Sequence, residues 1–197
     1  MENLTNSTKE KILEAAIKVF AERGYHSTRV DDIADESKTS KGSIYFYFKS
    51  KQEIFLGLIE IFIDLLEKRV LKTMSNKGNH GPEQLTQTLI EIVRVFKQYR
   101  SLAKIVLIQA VGLGEIFEDQ RRLFIDKFCG IVQMRLDQAV QDGSIEPINS
   151  SIVARLWVGS MVEIVVHWIF TPEFDLEAHI PDLNIYFLNS INYRSKA

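Results

Sequence analysis

Apolar residues along this chain recur every three to four positions, the period of one helix face, and alternating strand patterns are nearly absent. Ile12, Ala16, Val19 and Phe20 form one such stripe behind Ser7-Thr8-Lys9-Glu10, whose spacing suits a capping box. Gly24 is placed to close that helix. Thr28-Arg29-Val30-Asp31 repeats the cap pattern ahead of Val30, Ile33 and Ala34, and Ser40 can cap a third short helix running through Phe46. Ser50-Lys51-Gln52-Glu53 opens a long helix with Ile54, Leu58, Ile61, Leu65 and Leu66 on its inner side, ending near Met74. A loop is expected at 76–82, then helices at 83–98, 101–111, 115–142, 150–170 and 180–193, punctuated by Gly112, Gly114, Gly143, Pro147 and Thr171-Pro172. Pro181 suits the first turn of the last helix. The fold class is therefore all-α: a three-helix N-terminal unit over 1–51 and a helical body over 52–197, with no flexible linker between them.

Composition narrows the function classes. The 197 residues are 46% apolar and 25% charged, ordinary globular values with ample length for a core. Cys129 is the only cysteine, which rules out an intrachain disulfide and a multi-cysteine zinc site and leaves it as a core residue. Met1 to Leu4 show no basic segment leading into an apolar one, so no secretory leader is expected. Ile152–Phe170 is the most apolar stretch, but Arg155, Glu163 and His167 interrupt it, as in a buried helix rather than a membrane span. A cytoplasmic protein with no membrane partner is expected. Paired Glu-x-x-His motifs are missing: Glu163 to His167 is one residue too long and Glu177 to His179 one too short. A nucleotide-binding glycine fingerprint is missing as well. The chain reads as a non-enzyme, with no cofactor and no metal expected.

The formal charge of −2 gives no sign of a polyanionic partner, but the average hides a concentration. Residues 37–51 carry Lys38, Lys41, Lys49 and Lys51 and no acid, directly after Asp31, Asp32, Asp35 and Glu36. Three short helices with a tight turn between the second and third describe a helix-turn-helix. The start of its second member must be small, polar and basic, and its back apolar. Ser40-Lys41-Gly42-Ser43 meets the first need, and Ile44 and Phe48, four apart, the second. Tyr45 and Tyr47 place hydroxyls where phosphate oxygens would lie, and the helix start at Ser50 and Lys51 offers an anion site. Phe48 reads as core; for Phe46, core and surface both stay open.

These residues resemble the DNA-binding domain of the TetR family of bacterial transcriptional regulators. The resemblance runs over 9–58, through Ile12-Leu13-Glu14-Ala15-Ala16, Phe20-Ala21-Glu22-Arg23-Gly24-Tyr25 and Ser40 to Lys51. It implies that Lys41, Gly42 and Ser43 face bases, that Tyr45, Tyr47 and Lys51 hold phosphates, and that Thr28 and Ser40 are further DNA-binding candidates. Where the family usually has Ala-Gly-Val-Ser in the turn, this chain has Ser37-Lys38-Thr39-Ser40, so Lys38 replaces the glycine.

The resemblance also implies a ligand-binding and dimerisation body. Phe96, Phe124, Phe128, Trp157 and Met161 are candidates for an apolar pocket, with Phe117 and Trp168 beside them. Gln109, Glu163 and His167 interrupt apolar faces and need partners, whether in the protein or in a ligand. Glu163 and His167 can pair with each other, touch ligand, or lie in a dimer interface. The last two helices offer apolar surface on more than one side, with Val162, Val166, Leu183, Tyr186, Phe187 and Ile191 as dimer-interface candidates. The Gly, Glu and Trp spacing of Gly159 to Trp168 is similar to that of fatty-acyl-CoA-responsive members. It implies an acyl-CoA or fatty-acid effector, with Lys97, Arg100 and Lys104 as candidates for a basic mouth. The whole then reads as a homodimeric repressor of a pseudo-palindromic double-stranded DNA operator, released by a small apolar or amphipathic effector. The alternative is a helical dimer without sequence-specific DNA binding, which leaves Ser40 to Ser43 unexplained.

Overall fold

The computed structural model describes residues 7–75, 81–171 and 173–193, and among them every regular element is helical. In chain order they are α1 (Thr8–Ser27), α2 (Val30–Ser37), α3 (Lys41–Tyr47), α4 (Lys51–Met74), α5 (Pro82–Gln98) and α6 (Arg100–Lys104). A π-helical turn (Ile105–Gln109), α7 (Glu115–Gln141), α8 (Ser150–Phe170) and α9 (Ile180–Ser190) complete the order. Most of the loop expected at 76–82, residues 76–80, lies outside the described residues, as does Pro172.

The caps explain where the first helices start. In α1 the Glu10 N–H donates to Ser7 Oγ (3.3 Å) and the Ser7 N–H to Glu10 Oε2 (3.2 Å), the expected capping box. Gly24 has φ +77 and kinks the helix, and the chain makes one more turn to Ser27. Carbonyls around this broken end need outside donors. Thr28 Oγ1 donates to Gly24 O (2.7 Å), Gln109 Nε2 to Phe20 O (2.9 Å) and Lys104 Nζ to Ala21 O (3.2 Å). The cap of α2 is one residue later than expected: Arg29, whose N–H donates to Asp32 Oδ2 (2.7 Å), replaces Thr28. Asn149 caps α8 by accepting from the Ile152 N–H (3.2 Å). The single helix expected at 101–111 is instead α6 running into the π turn, where the Ala110 N–H reaches Ile105 O (2.9 Å).

The described residues pack as two compact units, one within Met1–Asp64 and Tyr99–Arg121, the other within Leu65–Gln98 and Arg122–Ala197. The expected boundary at residue 51 falls inside the first unit. Phe20, Ile33, Ile44, Phe55 and Leu58 are fully buried there. Phe55 meets Phe20, Tyr25 and Phe117 edge-on at 5.2, 5.0 and 5.4 Å between centroids, so four rings form the middle of this core. In the second unit Leu136, Ile145 and Ile191 are buried with Trp157 packed against them. By length and composition α8 is apolar enough to cross a membrane; Ala154, Met161, Val165, Trp168 and Ile169 are buried inside this unit, while about two thirds of its apolar stretch is not.

Candidate nucleic-acid interface and effector cavity

The turn between α2 and α3 is built on Lys38, which sits at φ +55, ψ +36, where a glycine would be unstrained. The Thr39 N–H reaches back to Ala34 O (3.1 Å), and the Ser37 and Thr39 hydroxyls pair at 2.7 Å. Thr39, which replaces a small apolar residue of the family pattern, is thus satisfied locally. Ser40 caps α3, accepting from the Ser43 N–H (3.0 Å), with the two hydroxyls 2.8 Å apart. Ile44 and Phe48 are buried behind the helix, while Lys41, Gly42, Tyr45, Phe46 and Tyr47 are exposed. Phe46 is 81% exposed, which settles the open choice for that ring.

Two expected DNA-binding residues face inward instead. Thr28 is buried, with its hydroxyl held by Gly24 O, because the kink in α1 leaves that carbonyl in need of a donor. Lys51 Nζ donates to Tyr25 O (2.7 Å) and Thr28 O (2.8 Å) and lies 4.4 Å from the Tyr25 ring centroid. Burial pushes this ammonium down from its ordinary range. Two of its three donors are therefore used within the first unit. At the start of α4, where an anion site is expected, two backbone donors are held by side chains. Glu53 accepts from the Lys49 N–H (2.6 Å), and Ser50 Oγ accepts from the Glu53 N–H (3.1 Å).

Lys41 stays on the reading helix but pairs with Asp31 at 2.8 Å, both side chains half-exposed. The carboxylate holds the Lys41 ammonium up from its usual value, first through their hydrogen bond. DNA would have to compete with that acid for the ammonium. Asp31→Asn is expected to raise affinity for duplex DNA by about threefold at low salt, an effect that fades as salt screens the charge. Fluorescence anisotropy across a salt series checks this; unchanged affinity would place Lys41 outside the interface.

The second unit holds a cavity of about 520 Å³ that is partly open to solvent. Phe96, Phe124, Phe128, Trp157 and Met161 line it, all five being aromatic or apolar pocket candidates from the sequence. Gln109, Glu163 and His167 do not. Gln109 belongs to the first unit and caps Phe20 O. Glu163 is exposed, and the His167 ring meets Phe174 edge-on at 5.0 Å, while Phe174 stacks on His179. No Glu163–His167 hydrogen bond is found among the described residues. The expected basic mouth is not formed either. Lys97 pairs with Glu177 (2.6 Å), Lys104 holds Ala21 O, and neither they nor Arg100 line the cavity.

The cavity's polar wall includes Gln84, Thr88, Arg135, Gln138, Asp142 and Ser144. Arg135 Nη2 donates to Met74 O (2.8 Å), the last residue of α4, and Nη1 to Gln138 Oε1 (3.1 Å). Its Nε is buried without a partner. Gln84 Nε2 also donates to Met74 O (3.0 Å). Sequence reasoning missed Arg135, although it interrupts an apolar face of α7 that carries Phe128, Ile131, Val132 and Ala139 at helical spacing.

Four of the six dimer-interface candidates are engaged inside the second unit. Leu183, Phe187 and Ile191 are buried, and Val162, Phe187 and Ile191 line the cavity. Phe187 stacks on Trp157 at 4.8 Å, and Trp157 Nε1 donates to Ser190 Oγ (2.9 Å). Val166 is half-buried and Tyr186 exposed. The apolar groups left in solvent on α8 and α9 are Ile152, Leu156, Phe170, Ile185 and Tyr186, each more than half exposed. Ile152, Leu156 and Phe170 fall on one face of α8 by helical spacing, a signal present in the sequence but masked by apolar residues all round that helix. Among the described residues no cluster of three His, Cys, Asp or Glu groups can hold a metal ion.

Comparison with known proteins follows the same outline. Residues 12–58 match the family model for bacterial regulatory proteins of the tetR family. An uncharacterized HTH-type transcriptional regulator of Bacillus subtilis, YuxN, is 44% identical over 97 residues; the match covers 48% of this chain and about a third (33%) of that protein's length. The structure of the fatty acid degradation regulator FadR from Bacillus halodurans superimposes with a TM-score of 0.83 at 20% identity, covering 98% of this chain and all (100%) of that one. FadR of Bacillus subtilis in complex with stearoyl-CoA gives 0.79 at 22% identity over 92% of this chain and 98% of that one, so both share this fold. Residues 12–58, which include most of α1 and all of α2 and α3, thus match the helix-turn-helix domain of the tetR family of bacterial regulatory proteins.

Proposed function

We propose that this protein is a cytoplasmic, homodimeric transcriptional repressor whose α3 reads the major groove of a pseudo-palindromic operator and whose second unit binds an amphipathic effector that releases the DNA. The observation that carries the effector half is the cavity of about 520 Å³, apolar over most of its wall and bearing one guanidinium, Arg135, with one carboxylate, Asp142. That size suits a small ligand, since such pockets span about 300–1,000 Å³. A single arginine suits one carboxylate, whereas the phosphates of an acyl-CoA call for several cations, and the expected lysines point elsewhere. The reading therefore favours a fatty acid over its CoA thioester. The exposed face of Ile152, Leu156, Phe170, Ile185 and Tyr186 supports a two-fold contact between copies, as a paired reading head requires. α4 begins in the first unit and ends in the second, and is the continuous element through which effector binding would bias the reading head.

One experiment tests both halves. A pool of random duplexes is offered at low salt, bound duplexes are selected, and each is titrated with a long-chain fatty acid, the matching alcohol and the matching acyl-CoA. The expected result is two copies per selected duplex, release by the acid, and a rise in melting temperature with the acid alone. Failure to bind any duplex would overturn the regulator reading, and stabilisation by acyl-CoA in preference to the acid would overturn the effector assignment.

A further inference from the structure

Phe46 has no structural reason to be where it is. It projects from α3 with 81% of its surface in water, while Ile44 and Phe48 supply the buried back of the helix. Its ring contact is an edge-to-face one with Tyr47, centroids 5.1 Å apart at 90°, which props the ring without covering it. Gly42 lies one turn earlier, four residues back on the same face. A Cβ at Gly42 would meet nothing closer than Ser40 Oγ at 3.8 Å, so that side of α3 is open to a close approach. The exposed face therefore offers backbone at one turn and an apolar ring at the next.

A phenyl ring carries no donor and no acceptor, so it cannot hold a phosphate and cannot read the hydrogen-bonding edges of guanine, adenine or cytosine. The major-groove edge of a base pair presents one apolar group, the C5-methyl of thymine. We propose that Phe46 is a specificity-determining residue that packs on a thymine methyl in each half-site. The inference rests on the operator-binding reading above and adds to it the base that this residue selects.

The test removes the methyl and nothing else. In a duplex selected by the wild-type protein, each thymine is replaced in turn by deoxyuridine, which keeps O4 and the pairing edge, and affinity is measured for wild type, Phe46→Ala and Phe46→Leu. One position per half-site is expected to weaken wild-type binding by about three- to tenfold on loss of its methyl. Phe46→Ala is expected to lose a similar factor on the thymine duplex and to be indifferent to deoxyuridine at that position, while Phe46→Leu keeps part of the preference. Replacements elsewhere should affect all three proteins alike. Because the ring is exposed, the variants should melt as wild type does. Wild-type affinity in Phe46→Ala, or losses from the variant and from deoxyuridine that simply multiply, would overturn the assignment and leave operator binding standing, as when Phe46 touches another copy of the protein. Selection of no duplex by the wild type would overturn the operator reading and this inference with it.

Discussion

Phe55→Ala is expected to unfold the first unit under conditions where the wild type is stable. Phe55 is fully buried and meets three other rings, Phe20, Tyr25 and Phe117, at centroid distances between 5.0 and 5.4 Å. Removing it deletes the shared partner of all three, and truncations of this kind cost about 3–5 kcal/mol. That is a large fraction of the roughly 5–15 kcal/mol that holds a typical domain folded. The loss would be felt at α3, because Ile44 and Phe48 dock the reading helix on the same core. Phe55→Leu keeps most of the volume and should cost about half as much. Tryptophan fluorescence is a poor reporter, since Trp157 and Trp168 both belong to the second unit. Hydrogen exchange over α1–α3 reads the effect directly: protection should collapse in Phe55→Ala. Wild-type protection there would mean that the ring cluster contributes far less than its burial suggests.

Arg135→Leu is expected to separate effector binding from folding. The variant removes a guanidinium from the cavity wall and with it a buried, unpartnered Nε. Met74 O loses one donor but keeps Gln84 Nε2 at 3.0 Å, so the end of α4 stays satisfied. Stability should change by less than about 1 kcal/mol, because a buried orphan donor disappears as two hydrogen bonds are lost, one of them to the exposed Gln138, which can bind water instead. A charge-assisted hydrogen bond to a carboxylate is worth about 1.5–3 kcal/mol, which is roughly a 10- to 150-fold loss of affinity for a fatty acid. The alcohol of the same chain length should bind both proteins alike, since its apolar contacts with Phe96, Phe124 and Phe128 remain. Calorimetric titration with the pair of ligands decides the matter. Equal loss for acid and alcohol would show that Arg135 shapes the cavity without anchoring a charge.

These two cases mark what could and could not be read along the chain. The burial of Ile12, Phe20, Ile33 and Ile44 followed from helical spacing, because a one-sided apolar stripe has one stable place to go. Phe55 was outside the expected stripe of α4, whose buried side also takes Phe55, Ile59 and Phe62 and is therefore wider than one row. Gln109 interrupted an apolar run, marking a half-buried polar group whose Nε2 finds a main-chain carbonyl at the α1 kink, 89 residues back in the chain, while its Oε1 is buried without a partner. Lys51 and Thr28 matched the family pattern and still face inward, since the same kink exposes carbonyls that outcompete solvent for their donors.

The sequence alone determined the helical class, the caps of α1 and α3, the reading-helix composition and the family pattern of residues 12–58, all of which depend on residues within a few positions of one another. Only the tertiary structure decided which side of α8 and α9 is left for a partner, where Arg135 stands, and that Phe46 is bare. Those properties depend on which residues distant along the chain cover a given surface, and helical periodicity gives the direction of a side chain without saying what lies opposite it.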